Sequence, residues 1–352
     1  MSKTNRSKIR CGVIGCGQIA YDKVIPALGM ARNMELVALS DPDTTRLERA
    51  QAAYPKAKSY SQMEDLLADE SVQAVYIATP NFLHASQTVS AASAGKHVLV
   101  EKPMAINAEE GREMVEAADR AGVKLMVAYM TLFNPAYKMA KHVVDSGMLG
   151  EIVSVRGRHS YVIHPDNISS AAAWRLDPKH GGGPLMDVAV YPIFTLRDLT
   201  GLRIGDLFAT GTTRRLHEKT EFDSVLLTLL LQDGTPGVIE ATFTYVASHI
   251  ELEGTEGRLT LTGHITQAIE GRLEVDLWMP GQHRVGERIV HEITPEGMPH
   301  FYNYLSEVEH FGDCITTGKE PVSSGRQAVH ELVVADAVRE SILTGKRVDL
   351  RF

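Results

Sequence analysis

These 352 residues read as an α/β chain in two domains: a doubly wound parallel sheet, then an α+β domain built on a large, mostly antiparallel open sheet. Three observations carry that expectation. A short β-branched run, Ile9–Ile14, ends in the glycine-spaced turn Gly15-Cys16-Gly17-Gln18-Ile19-Ala20, which opens a helix. Short apolar runs then alternate with helical stretches as far as Ala128, the pattern of βαβ units whose strands are buried on both faces. Beyond Ala128 the runs alternate apolar and polar residues and are joined by hairpin signals such as Gln232-Asp233-Gly234.

In chain order, residues 1–8 are basic, but no apolar run or twin arginine follows, so they read as a short arm and not as a targeting signal. In the turn after the first strand, Gly15 permits the tight bend, Gly17 lets the backbone approach a pyrophosphate, and Ala20 allows the helix to pack closely on the strand. The helix N-terminus offers N–H groups to the phosphates. A second strand, 34–40, delivers Asp41 where the acid that holds an adenosine ribose is expected. Its carboxylate accepts hydrogen bonds from a ribose diol and repels a 2′-phosphate, which favours NAD over NADP. Arg46 is the group that can turn toward a phosphate, or else a charge on a solvated helix face.

Residues 44–53 and 60–68 read as helices, and 74–78 as a third strand stopped by Thr79-Pro80-Asn81. A helix at 84–94 leads to a fourth strand, 97–100, which runs into Glu101-Lys102-Pro103; helix 108–121 and strand 124–128 complete the unit. In such a sheet ligands bind beyond the carboxyl ends of the strands. The Gly15 turn, Asp41, Thr79-Pro80-Asn81, Glu101-Lys102-Pro103 and Tyr129 all fall at that edge.

The expected division is a dinucleotide-binding domain, 1–128, and a domain for substrate binding and oligomerisation, 129–352. Residues 135–146 read as a helix, 152–159 as a one-sided strand, and 224–231, 235–245, 249–254, 258–262 and 273–278 as strands joined by turns. Helices at 301–317 and 325–343 are expected to pack back across the molecule. A sheet with helices on one face leaves the other partly apolar, so a homodimer or homotetramer through that sheet is expected.

Composition narrows the partners. A hydrophobic content of 44% supplies two cores, and a net charge of −8 argues against nucleic acid or an anionic membrane. No stretch approaches a membrane span. The three cysteines, Cys11, Cys16 and Cys314, lack metal-type spacing and fit reduced thiols in the cytoplasm; the histidines are scattered, so no metal is expected.

Two constellations carry chemistry. Lys102, beside Pro103 at the ligand edge, presents an ammonium that can stabilise negative charge on a substrate oxygen, and a cis peptide before Pro103 would aim it inward; the alternative is a surface Lys-Pro turn. Trp174-Arg175 is followed by Gly181-Gly182-Gly183-Pro184, a permissive loop entering a helix on which Asp187 and Tyr191 share a face. The alternative there is a carboxylate favoured by the helix dipole and a half-buried tyrosine. His84 stands near the cofactor edge or is structural. Arg158, His159 and Tyr161 reach the substrate or lie on an exposed face.

The G-x-G-x-x-A turn, Glu101-Lys102-Pro103, Asn134-Pro135, and Gly181-Gly182-Gly183 through Asp187 to Tyr191 together resemble the Gfo/Idh/MocA oxidoreductase family over nearly the whole chain. Trp174-Arg175 with Tyr191 resembles its glucose–fructose oxidoreductase and xylose dehydrogenase branch; many relatives have histidine at the Tyr191 position. The resemblance implies a Rossmann domain and NAD(P)-dependent oxidation or reduction at a carbon of a sugar or polyol. It implies Lys102 as the catalytic lysine, Tyr191 as general acid/base and Asp187 as an assisting substrate-site carboxylate, with Trp174 and Arg175 walling the nicotinamide end. Cofactor contacts are expected from Gly15, Gly17, Gln18, Ile19, Asp41, Thr79, Pro80, Asn81, His84, Glu101, Lys102, Trp174 and Arg175. Substrate contacts are expected from Lys102, Arg158, Tyr161, Asp187 and Tyr191. A nearby ammonium stabilises tyrosinate, so Lys102 and Tyr191 form a coherent pair. A dihydrodiol or dicarbonyl reductase of the same family, and a cofactor-binding sensor without turnover, are the other readings that fit this fold.

Overall fold

A computed structural model describes residues 8–350 except 165, 167–169, 218, 264, 267, 280, 282–283 and 295. The chain forms two compact units. The first takes the residues up to Ala105, Glu109–Met130 and Pro299–Val329; the second takes Ile106–Ala108, Thr131–Met298 and the chain from His330 onward.

The first unit holds a six-stranded parallel sheet: β1 (Ile9–Ile14), β2 (Met34–Ser40), β3 (Lys58–Tyr60), β4 (Ala74–Ile77), β5 (His97–Glu101) and β6 (Leu125–Ala128), in the order β3-β2-β1-β4-β5-β6. This is the doubly wound order of dinucleotide-binding folds, and its direction reverses between β1 and β4, where such folds bind their ligand. The register sets Ile14 beside both Ser40 and Ile77, so the turns after β1, β2 and β4 meet at one edge. The helices between the strands are α1 (Ile25–Met30), α2 (Thr44–Ala53), α3 (Met63–Ala68), α4 (His84–Ser93) and α5 (Ala108–Ala121). A wide, π-type turn at Ala20–Val24 feeds α1. The helix expected from residue 60 starts only at Met63, because Lys58–Tyr60 pairs with Ala38–Ser40 as an edge strand; three residues are too few to leave a periodicity.

The second unit begins with α6 (Pro135–Asp145). Asn134 Oδ1 caps it by accepting the N–H groups of Ala136 (2.9 Å) and Tyr137 (3.3 Å). Then come β7 (Ile152–Ser160), a wide turn at Leu185–Ala189 continuing into α7 (Val190–Thr200), and β8 (Ile204–Thr212), β9 (Ser224–Leu231), β10 (Pro236–Thr242), β11 (Ala247–Gly254), β12 (Gly257–Thr262), β13 (Gly271–Trp278) and β14 (Val285–Ile293). α8 (Tyr302–Thr317), α9 (Gly325–Thr344) and β15 (Val348–Asp349) end the chain. The nine strands run β14-β13-β12-β11-β7-β10-β9-β8-β15, and every pair is antiparallel except β7 with β10. The sequence reading missed β8, β14 and β15. β14 is the clearest case: Glu287, Arg288, His291 and Glu292 make it look like a loop, yet it is held by Arg288 on Asp276 (2.6 Å) and by Arg272 on Glu292.

The first compact unit runs to Met130, apart from residues 106–108, and takes back residues 299–329. There α8 buries Tyr304, Val308 and Phe311. Its Glu309 accepts the Arg32 N–H (2.9 Å), and its Asp313 accepts from the Asn33 amide (2.7 Å).

Candidate active site

The cofactor end lies in the first unit. Gly15 has φ +92°, and a Cβ there would come 2.9 Å from the Ala78 carbonyl and from Thr79 Cγ2, so only glycine lets the β1 turn pack on the end of β4. A Cβ on Gly17 would meet nothing within 4 Å. That open space before a helix-initiating turn fits a dinucleotide pyrophosphate. Beside it Asp41 is buried and braced, Oδ2 accepting the Cys16 N–H (2.7 Å) and Oδ1 the Asp43 N–H (2.8 Å). Gln18 is exposed and hydrogen-bonds Asp22; Ile19 is half-buried. Burial, then the charge of Asp41, push the Cys16 thiol up to about 12, so it packs as a neutral side chain. Arg46 pairs with Asp43 at 3.3 Å.

Thr79-Pro80-Asn81 and Glu101-Lys102-Pro103 are tied together by His84. This buried ring sets Nδ1 2.8 Å from the Pro103 carbonyl and Nε2 2.9 Å from the Thr79 carbonyl. Burial brings its pKa down to about 4, outweighing the two carbonyls. Expected as a cofactor contact, His84 sets both ring nitrogens against main-chain carbonyls; the neutral ring carries one N–H, so it donates to one of the two turns and packs its other nitrogen against the second. The Lys102–Pro103 peptide is cis. Glu101 Oε1 accepts the Tyr76 hydroxyl (2.9 Å), and Oε2 accepts the Lys102 N–H (3.2 Å).

The second unit gathers the other polar groups. The glycine run serves close approach: a Cβ on Gly182 would lie 2.6 Å from Asp177 N and 2.7 Å from Trp174 O, and the Gly183 N–H donates to Arg175 O at 2.7 Å. Arg175 stacks over the Trp174 ring at 4.7 Å. The chain then enters the wide turn that carries Asp187 and, in the first turn of α7, Tyr191. Gly157 of β7 lets α7 descend on the sheet, since a Cβ there would come 2.5 Å from Pro192 Cβ. The Tyr161 hydroxyl donates to Asp187 Oδ2 at 2.5 Å. Burial, then the Asp187 charge, push the Tyr161 phenol far up, with Arg175 opposing; Tyr161 keeps its proton and acts as a donor. Tyr191 is buried, its ring 4.6 Å from that of His159 at a tilt of 55°. A shallow recess lies here, its wall including Tyr191, His159, Arg158, Thr131, Ser248 and Thr266.

A family model described as "Oxidoreductase family, NAD-binding Rossmann fold" matches residues 9–129, and one described as "GFO/IDH/MocA C-terminal domain" matches residues 137–260. The chain belongs to the Gfo/Idh/MocA oxidoreductase family. It is 31% identical to D-xylose 1-dehydrogenase (NADP(+)) 2 of Haloferax volcanii, over 96% of this chain and 99% of that one. It is 30% identical to 1,5-anhydro-D-fructose reductase of Ensifer adhaerens, over 97% and 98%. Among solved structures, the aldose–aldose oxidoreductase of Caulobacter crescentus complexed with glycerol superposes with a TM-score of 0.86 at 26% identity, over 97% of this chain and 100% of that one.

This Gfo/Idh/MocA protein is thus an oxidoreductase whose first unit is an NAD(P)-binding Rossmann domain. In its second unit the structure brings Tyr161, Asp187, Arg175 and Tyr191 together. Arg158, expected on the substrate, borders the same recess, while its guanidinium pairs with Glu240 (2.8 Å) and lies 5.6 Å from the Tyr245 ring. Successive strand residues face opposite sides, so Arg156 and Arg158 share the exposed face while Gly157 and His159 face α7. His159, expected with Arg158 and Tyr161 to reach the substrate or lie on an exposed face, is on the α7 side. The signal that singles it out is Gly157, a residue small enough for a helix to cross. Among the described residues no group of three or more His, Cys, Asp or Glu could hold a metal, and no helix is long and apolar enough to cross a membrane.

Proposed function

We propose that this oxidoreductase moves hydride between a hydroxyl-bearing carbon of a sugar or polyol and nicotinamide, with Tyr191 as general acid/base and Lys102 polarising the substrate oxygen. The observation that carries the reading is the Tyr161–Asp187 hydrogen bond beside buried Tyr191: a charged acceptor and a protonated phenol within an otherwise apolar helix–sheet layer suit a ligand rich in hydroxyls. Nicotinamide, when bound, supplies the hydride acceptor. Tyr191 takes the hydroxyl proton in oxidation and returns it in reduction. Lys102 stabilises the negative charge that develops on the same oxygen. Asp187 and Tyr161 orient a neighbouring hydroxyl, and Trp174 and Arg175 wall the nicotinamide end.

NAD is the preferred cofactor in this reading, because a carboxylate at Asp41 accepts a ribose diol and repels a 2′-phosphate. The relatives named for xylose and for anhydrofructose support a sugar-sized substrate. We place the protein in the cytoplasm, where its three unpaired buried thiols remain reduced. The outer face of the nine-stranded sheet supports a homodimer or homotetramer, for it exposes Phe208 and Leu226 beside the Arg158–Glu240 and Arg156–Glu251 pairs.

The test is formation of reduced nicotinamide from NAD and NADP across aldoses, polyols, inositols, dihydrodiols and the matching carbonyls, with Tyr191→Phe alongside. Turnover of a sugar or polyol that is lost in the variant supports the proposal. Turnover confined to dihydrodiols or dicarbonyls, or tight cofactor binding with no turnover at all, overturns it.

A further inference from the structure

A buried chain of acids and a phenol lies behind the proposed catalytic lysine, wholly inside the first unit. Tyr76 on β4, Glu101 at the end of β5 and Glu307 on α8 meet in its interior; Tyr76 and Glu307 are completely enclosed, and Glu101 is 7% exposed. The Tyr76 hydroxyl lies 2.9 Å from Glu101 Oε1 and 3.5 Å from Glu307 Oε2. The second oxygen of Glu101 receives the Lys102 N–H at 3.2 Å. Glu307 Oε1 has no hydrogen-bond partner among the described residues.

We propose that Tyr76 and Glu307 are positioning residues that lock the Glu101 carboxylate against the Lys102 main chain and so fix the peptide from which the Lys102 side chain departs. The inference rests on the catalytic role proposed for Lys102, and it follows from counting protons. A phenol has one proton to donate, and the shorter contact gives it to Glu101. The Tyr76 oxygen can then only accept from Glu307, which requires a proton on the Glu307 carboxyl. The surroundings supply the reason for that proton. The titratable groups near the pair are Tyr76 from β4, Glu101 from β5 and Tyr304 from α8 itself, and among the described residues no lysine, arginine or histidine pairs with Glu307. Two ionised carboxylates sharing one tyrosine proton in a dry interior would leave a charge uncompensated. Burial, then the Glu101 charge, accordingly push the Glu307 carboxyl well above its usual range. The resulting order of donation is Glu307 to Tyr76, Tyr76 to Glu101, with Glu101 accepting the Lys102 N–H from its other side. One negative charge remains, on the carboxylate that holds the catalytic peptide.

The test uses the full-length protein in three forms: wild type, Glu307→Gln and Tyr76→Phe. Glu307→Gln keeps a neutral donor of nearly the same shape. It is expected to retain kcat, and to lose from the infrared spectrum the carbonyl stretch of a protonated carboxyl, above the amide band. Tyr76→Phe frees Glu101 and is expected to lower kcat and kcat/KM together by roughly 10- to 100-fold while NAD affinity stays as in wild type. It should also shift the Lys102 amide resonance in the ¹⁵N spectrum. If Tyr76→Phe does not fold, Glu307→Asp, which withdraws the acid by one methylene, is expected to give the same kinetic split and the same resonance shift. An unchanged infrared spectrum in Glu307→Gln, or a Lys102 amide unmoved in the positioning variants, overturns the proposal. The infrared and resonance readouts need no substrate. Failure of the sugar reading therefore shows separately, as a wild type with no turnover or a Lys102→Met variant with full turnover.

Discussion

Tyr161 donates its hydroxyl to Asp187 Oδ2 at 2.5 Å, across 26 residues of chain, and Asp187 leads by one helical turn into Tyr191. The two tyrosines of the site are therefore unlike. Tyr161 is committed as a donor to a carboxylate whose charge holds the proton on it, so it cannot serve as the base, and that role falls to Tyr191 in the proposed mechanism.

Removing the Tyr161 hydroxyl should act on binding. Tyr161→Phe removes one charge-assisted hydrogen bond from Asp187, and such a bond is worth about 1.5–3 kcal/mol. A rise in KM of roughly 10- to 100-fold with a much smaller change in kcat is expected in steady-state kinetics. A kcat that falls as far as in Tyr191→Phe would mean that Tyr161 takes part in proton transfer.

Loss of either reacting group should act on turnover. Tyr191→Phe and Lys102→Met are each expected to lower kcat by roughly 100-fold or more while leaving cofactor affinity intact, as read by quenching of protein fluorescence on NADH binding. Unaltered turnover in one variant removes the role assigned to that residue.

The cofactor choice turns on Asp41. Asp41→Asn keeps an acceptor for the Cys16 N–H (2.7 Å) but loses the charge that repels a 2′-phosphate. The ratio of kcat/KM for NAD over NADP should fall by roughly tenfold, the equivalent of one charge-assisted hydrogen bond. A ratio equal to that of wild type would place cofactor discrimination elsewhere.

His84 links stability to pH. Its folded-state pKa, about 4, lies below the ordinary 6.5, so between those values the unfolded chain binds a proton that the folded chain does not. Stability therefore rises with pH from about 4 to 6.5 and is level above, with roughly 3 kcal/mol at stake for this residue. Urea unfolding between pH 4.5 and 7 should show that slope, and His84→Gln should flatten it. An equally steep slope in the variant would assign the effect to other groups.

Much of the first unit was legible because its signals are local. The Gly15-x-Gly17 turn, the apolar run of Ala74–Ile77 and the polar edge at Thr79-Pro80-Asn81 are each written within a few neighbouring residues, and the alternation of strand and helix leaves few topologies to choose from. The second unit was less so. β14 is a polar edge strand stabilised by charges on β13, and β15 is two residues long, so neither carries a hydrophobic period. Arg158 and His159 are adjacent in sequence, and only the pairing of β7 with its neighbours fixes which of them faces the helix.

By itself the sequence determined a parallel dinucleotide-binding sheet and a mostly antiparallel second sheet, and it named candidates for the reactive residues, because periodicity, glycine turns and motif spacing are properties of short stretches of chain. The tertiary structure alone decided which face of β7 meets α7, that His84 sits between two backbone carbonyls, and that residues 299–329 return to the first unit. It alone set Glu307 beside Tyr76, 231 residues away. Such contacts arise when apolar faces bury against one another, and the polar groups carried in with them must find partners wherever packing leaves them.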